Sequence, residues 1–188
     1  WESLDWGDDV DPGTLPVIAR THPECQFVVP QAERTSAIAI GLCEDRLLTV
    51  DAGDTTALSE HVEIDVLASA HEEQRVNEAG QHHFLGFVLR HRSTTVYHSG
   101  DCVPYEGLAE SLRARSVDIA LLPVNGRDEF RRNRGVPGNM TLDEAVQLCI
   151  SARIKTLVPH HFGMFEFNTI DLDCLRTATA SLGDELCC

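Results

Sequence analysis

Hydrophobic and polar positions alternate in short blocks along this chain, and the blocks change period. Val62-Glu63-Ile64-Asp65-Val66-Leu67 repeats every two residues, the pattern of a half-buried strand. Val117 to Val124 is continuously apolar, the pattern of a strand covered on both faces. Gln26–Pro30, Arg46–Val50, Phe84–Arg90, Thr94–Tyr97 and Thr156–Pro159 are further strand-like runs, and His91-Arg92-Ser93 joins two of them as a hairpin. Helical periods fall between them, over 15–20, 31–42, 106–115, 141–152 and 171–182. Pro12 stands near the start of the first helix. Thr141-Leu142-Asp143-Glu144 has the spacing of a capping box: the Thr141 hydroxyl and the Glu144 carboxylate each reach back to the other's backbone N–H. Residues 74–82 and 125–139 read as polar loops, and 184–188 as a frayed tail. Strands alternating with helices, without repeats or an internal linker, predict one α/β layered domain over residues 1–188.

Charge narrows the partners. Thirty acidic against fifteen basic residues give a formal net charge of −15, which repels nucleic acid and anionic membranes. No apolar run reaches spanning length, and Trp1 to Asp5 lacks the character of a signal peptide. The seven cysteines are odd in number and scattered without C-x-x-C spacing, the usage of a reduced cytoplasmic protein. Cys102 beside Asp101 is a weak candidate nucleophile, because no partner histidine is specified by spacing.

Three of the predicted strands end in the same way. Val62–Leu67 leads to His71, Thr94–Tyr97 to Ser99-Gly100-Asp101, and Thr156–Pro159 to His160-His161. In α/β sheets, ligands and catalytic groups gather at the strands' C-terminal edge. If the three strands share a sheet and a direction, His71, Asp101 and His161 converge. Two imidazoles and a carboxylate are a partial shell for zinc, manganese or iron. The bland reading of each position, a turn-capping aspartate or a surface histidine, competes with this until the strands are placed. His82 and His83 sit in a polar loop and are expected to stay away from the site.

These residues belong to a longer ordered set: Ser69-Ala70-His71-Glu72-Glu73, Tyr97-His98-Ser99-Gly100-Asp101, Leu121-Leu122-Pro123-Val124-Asn125-Gly126-Arg127, Gly138-Asn139-Met140-Thr141 and Val158-Pro159-His160-His161-Phe162. As a set they resemble metallo-β-lactamase-fold hydrolases of the ascorbate-6-phosphate lactonase type, over about Asp11 to Leu182. The resemblance implies an αββα sandwich with one or two divalent metals, zinc or manganese, at the edge between the sheets. It also implies a metal-activated water acting on a small anionic lactone or ester. By it, His71 and His161 are metal ligands, and Asp101 is a ligand shared between metals. Glu72, His98 and His160 are neighbours that support the metal-bound groups.

The family's His-x-His-x-Asp-His motif is absent before the first helix. Asp8 stands where its aspartate belongs, as a further metal and catalytic candidate, while Leu4, Trp6 and Asp9 replace histidines. The preceding strands of the family fold are also missing. Either the chain is a piece whose start differs from the native one, or it is a degenerate, non-catalytic member acting by association. Half a sandwich exposes an apolar sheet face, so a homo-oligomer is expected. Finally, 125–134 carries four of the fifteen basic residues, Arg127, Arg131, Arg132 and Arg134. Arg127, with Asn125 orienting the substrate, is the expected anion contact, because a guanidinium pairs bidentately with phosphate or carboxylate. A non-metal protein that binds a phosphorylated ligand through this loop is a third reading.

Overall fold

The computed structural model describes residues 13–163, 166–180 and 186–188. Asp8, with the rest of the altered motif, lies outside them. Helix α1 (Thr14–Thr21) leads to strand β1 (Phe27–Pro30). Proline stops that strand, a 3-10 turn over Gln31–Glu33 runs into α2 (Arg34–Ala39), and the chain returns in β2 (Leu47–Val50). β1 and β2 pair in parallel, Phe27 opposite Leu47, with α2 as the crossover. Ala19, Val29, Ala37 and Leu42 form the small core of this unit.

The remaining strands make one six-stranded sheet in sequential order: β3 (Thr55–Ser59), β4 (Val62–Ala68), β5 (Leu85–His91), β6 (Thr94–His98), β7 (Ile119–Pro123) and β8 (Thr156–His160). The β3-to-β6 pairs are antiparallel and the last two are parallel. β4, β6, β7 and β8 therefore run the same way and end at one edge. The helices α3 (Leu108–Ala114), α5 (Leu142–Ala152) and α6 (Leu172–Ala180) cover one face. There the main core forms from Tyr97, Ala120, Leu122 and Leu157 of the sheet with Leu112, Ala145, Leu148 and Cys149 of the helices. On the other face, Val50 with Val28 and Leu48 packs on Ile64, Val66, Leu85 and Phe87. The order is helices, mixed sheet, small sheet and its helices, an α/β layered sandwich. Among the described residues no helix is long and apolar enough to cross a membrane.

The capping box at Thr141 forms in full. Elsewhere the structure departs from the pattern for physical reasons. β3 carries no apolar signal, since it is an exposed edge strand held by pairing to β4. β4 is covered on both faces at Ile64–Leu67, because Asp65 is matched by cations and its burial becomes tolerable. β7 alternates instead: Ala120 and Leu122 are buried under the helices, while Ile119 and Leu121 stay half-buried on the opposite face. The loop after β7 contains one helical turn, α4 (Glu129–Arg132), capped by Asp128, whose side chain accepts from the Arg131 N–H. The end of the chain is tied down, contrary to the frayed tail expected. The Leu157 N–H donates to the Cys187 carbonyl and the Cys187 N–H to the Lys155 carbonyl, each at 2.8 Å, and Leu186 is buried. Residues 184 and 185 lie outside the described set.

Candidate metal centre

At the shared strand edge, backbone hydrogen bonds lace the loops together. The Ser69 hydroxyl sits 2.9 Å from both the Ser99 and the Asp101 carbonyls, and the Val103 N–H donates to the Ala70 carbonyl at 2.7 Å. The Met140 N–H donates to the Cys102 carbonyl at 2.9 Å. These bonds fix the loops after β4, β6 and β7 against one another. Gly100 turns out of β6 with φ +60°, a region that suits glycine, and so presents Asp101.

The three predicted residues do converge. His71 Nε2 lies 3.5 Å from Asp101 Oδ2, and His161 Nε2 lies 3.3 Å from Asp101 Oδ1. All three side chains are nearly excluded from solvent. Metal–ligand bonds of 2.0–2.2 Å at tetrahedral angles place neighbouring donor atoms about 3.4 Å apart, and each of the two spacings is of that size. Asp101 Oδ1 is buried and accepts no properly aligned hydrogen bond. By chemistry, two imidazoles and a carboxylate are a donor set that fits a divalent metal. Among the described residues no three His, Cys, Asp or Glu side chains are arranged as they stand so that they could hold a metal ion. His71 and His161 each meet a different Asp101 oxygen, and gathering both around one ion requires a side-chain adjustment. Burial pushes the Asp101 carboxyl up, but His161, His71 and the Asn139 amide more than offset it and hold the group below the usual carboxylate range.

Two residues at the site adopt left-handed backbone angles that L side chains avoid: His161 with φ 61° and Glu72 with φ 66°. Such strain persists only where surroundings enforce it, and it collects at functional sites. For Glu72 the surroundings are visible. Its carboxylate accepts from Arg132 Nε at 3.1 and 3.2 Å and from the Gly138 N–H at 3.1 Å. It therefore fixes the loop beside His71, and those oxygens are directed to Arg132 and Gly138. His98 and His160 stack with centroids 4.9 Å apart. Burial, with His98 beside it, pushes the His160 imidazole down to about 4, and His160 Nε2 is buried without a hydrogen bond. His82 and His83 face away, His82 Nδ1 at 2.9 Å from Asp51 Oδ1 and His83 in contact with Glu33.

Arg127 is engaged in a structural pair. Its guanidinium meets both Glu144 carboxylate oxygens at 2.6 Å and the Asn139 carbonyl at 3.0 Å, so Glu144 serves Arg127 as well as the cap of α5. Asn125 is buried and donates from Nδ2 to Asn168 Oδ1 at 2.7 Å, the same oxygen that Arg131 reaches. Both side chains expected to hold an anion thus brace the loop. Cys102 is fully buried, and burial pushes its thiol up, the opposite of an activated nucleophile. Asn139 and Ser69 were not singled out by their spacing, although both lie in the motif blocks quoted above.

Residues 10–162 match the beta-lactamase superfamily domain family. The chain belongs to that family. Among curated relatives of this beta-lactamase superfamily chain, a UPF0173 metal-dependent hydrolase of Myxococcus xanthus (strain DK1622) is 30% identical over 82 residues, 43% of this chain and 26% of the relative. A protein of the same description from Pyrobaculum islandicum (strain DSM 4184 / JCM 9189 / GEO3) is 29% identical over 125 residues, 66% of this chain and 48% of its own length. The chain thus spans about half or less of these relatives. In fold it is similar to Igni18, a metallo hydrolase from the archaeon Ignicoccus hospitalis KIN4/I, with a TM-score of 0.68 at 17% identity, covering 91% of this chain and 66% of that one.

Proposed function

We propose that this chain carries the metal-binding half of a hydrolase that acts on a small anionic lactone or ester, with zinc or manganese, one ion or two, at His71, Asp101 and His161. The observation that carries the reading is the buried Asp101 carboxylate, with His71 Nε2 3.5 Å from one oxygen and His161 Nε2 3.3 Å from the other. Membership of the beta-lactamase superfamily, whose relatives include proteins described as metal-dependent hydrolases, supports it. A divalent cation held there supplies an acidified water and polarises a carbonyl or phosphoryl oxygen.

The chain's own residues would then divide the work. Asp101 provides charge and two oxygens. His71 and His161 provide neutral nitrogen donors on either side of it. Ser69 fixes the Asp101 backbone, and the Glu72–Arg132 pair fixes the loop that carries His71. Two imidazoles and a carboxylate leave a coordination position open for water, as catalytic rather than structural zinc sites do. Asp8 remains a proposed further ligand from outside the described residues. The test is a pH-stat assay of the purified chain on a panel of small esters and lactones, with and without added zinc or manganese. Hydrolysis that requires metal and stops with chelator is expected; metal-independent rates across the panel would refute the reading.

Association of two chains, in a cytoplasmic setting, is proposed through the sheet face opposite the helices, where Val158 is 41% exposed and Ile119 and Leu121 are half-buried. Light scattering on the purified chain reads this directly, and a monomer at all concentrations would rule it out.

A further inference from the structure

The loop after β7 holds four guanidinium groups, and the structure accounts for them unequally. Arg127 is neutralised by Glu144. Arg131 is buried, paired with Asp128 at 2.6 Å, and bonded to the Asn125 carbonyl and Asn168. Arg132 is paired with Glu72. Arg134 differs. It is exposed, and among the described residues it has no carboxylate partner. Its guanidinium carbon sits 3.4 Å from the centre of the Phe130 ring, and its Nη1 donates to the Phe130 carbonyl at 3.0 Å. Phe130 is itself 60% exposed. In a chain of net charge −15, an arginine without a carboxylate partner placed over a solvent-facing phenyl ring is an unusual combination.

The place of this pair matters as much as its chemistry. The pair sits on α4 and the turn that follows it. The loop's far end, Asn139-Met140, touches the Asp101 segment through the Met140-to-Cys102 hydrogen bond, and Arg132 ties α4 to Glu72 beside His71. Asn168, buried between Asn125 and Arg131, draws in the segment after β8. Glu72 and Asn168, from the loops after β4 and β8, thus hold α4 itself, while the loop after β6 holds the far end of the same loop beside Asp101. The contact with the Phe130 ring and the bond to the Phe130 carbonyl restrict the Arg134 guanidinium, so less freedom is lost when it grips an anion. The ring alongside offers apolar surface for whatever carries that anion.

We propose that Arg134 stacked on Phe130 forms a substrate-anchoring subsite, which takes a small molecule bearing a phosphate-like anionic group attached to an apolar or aromatic body. Arg127, by contrast, is a bracing residue. The subsite rests on the hydrolase reading only for what it would deliver to the metal centre; its ligand chemistry stands by itself.

Isothermal titration of the metal-free 188-residue chain with benzylphosphonate tests the proposal, with neutral benzyl alcohol as comparison. Wild type binds benzylphosphonate, and Arg134→Gln weakens it about fivefold, the loss of one charge-assisted contact. Phe130→Ala, which keeps the charge, weakens it about threefold through lost stacking. Arg127→Gln lowers the melting temperature and leaves the affinity unchanged. Arg176→Gln, an exposed arginine of α6, also leaves it unchanged, and Asp101→Ala is titrated beside it. Wild-type affinity in Arg134→Gln overturns the proposal. So do equal binding of benzyl alcohol, binding lost only in Asp101→Ala, or no binding by wild type. Metal retention, measured on separate metal-exchanged samples of the same variants, reports on the hydrolase reading separately: either reading can fail while the other stands.

Discussion

Asp65 is the strongest test of how this sheet tolerates charge in its middle. Its side chain is 9% exposed. Oδ1 accepts from the Thr55 hydroxyl at 2.8 Å and Arg90 Nη1 at 3.0 Å, while Oδ2 meets Arg90 Nη2 and Arg115 Nε, the latter at 3.0 Å. One carboxylate therefore joins the edge strand β3, strand β5 and the end of α3. The Arg90 hydrogen bond, against the opposing effect of burial, holds its carboxyl at about 2 from an ordinary 3.8. A depressed folded-state value means that the unfolded chain binds the proton first as pH falls. The stabilisation is complete above the unfolded value and is lost as pH drops through about 4 towards 2. A shift of roughly 1.8 units at 1.36 kcal/mol per unit corresponds to about 2.4 kcal/mol near neutrality, falling to about half of that by pH 3. Both arginines are partly solvated, so the figure is an upper one. Urea denaturation of wild type and Asp65→Asn at pH 7 should show about 2 kcal/mol lost in the variant, and the gap should narrow steadily between pH 4 and 3. A gap under about 0.5 kcal/mol at pH 7, or one that does not change with pH, refutes this account of the network.

Other substitutions test other parts of the argument. Tyr97 is wholly buried with its hydroxyl unpaired, so Tyr97→Phe should leave thermal stability unchanged or raise it by up to about 1 kcal/mol in a denaturation curve. A side-chain carbon at Gly138 would stand 2.0 Å from Arg127 Cβ and 2.9 Å from its Cα; Gly138→Ala should lower the melting temperature and loosen the loop after β7, read by limited proteolysis. Glu144→Ala removes the carboxylate half of the capping box and the Arg127 pair, and should cost more than Thr141→Ala, about 2 against about 1 kcal/mol, by chemical denaturation.

The sequence made the strands of the main sheet legible because most of them carry apolar residues at sheet period, and it made the site legible because three of those strands end in His or Asp. Parallel direction for β4, β6 and β8 was the missing link, and the topology supplies it. β3 was invisible, because an exposed edge strand such as Thr55–Ser59 needs no apolar pattern. Arg127 was the misleading residue. Arginine content marks a basic loop, but which guanidinium is consumed by which carboxylate depends on contacts across long sequence separations: Glu144 for Arg127 and, sixty residues away, Glu72 for Arg132. Local pattern cannot show such pairs. Nor could it show that Cys187 pairs with the backbone around β8, or that Leu186 is buried in the main core.

The central claim is that Asp101, between His71 and His161, holds a divalent metal. Metal content by mass spectrometry, on wild type and Asp101→Ala exchanged against zinc or manganese and then desalted, tests it most directly. The account predicts about one equivalent or more retained by wild type and loss of nearly all of it in Asp101→Ala, with the fold intact by circular dichroism. Wild type below about 0.1 equivalent, or unchanged retention in Asp101→Ala, would contradict it.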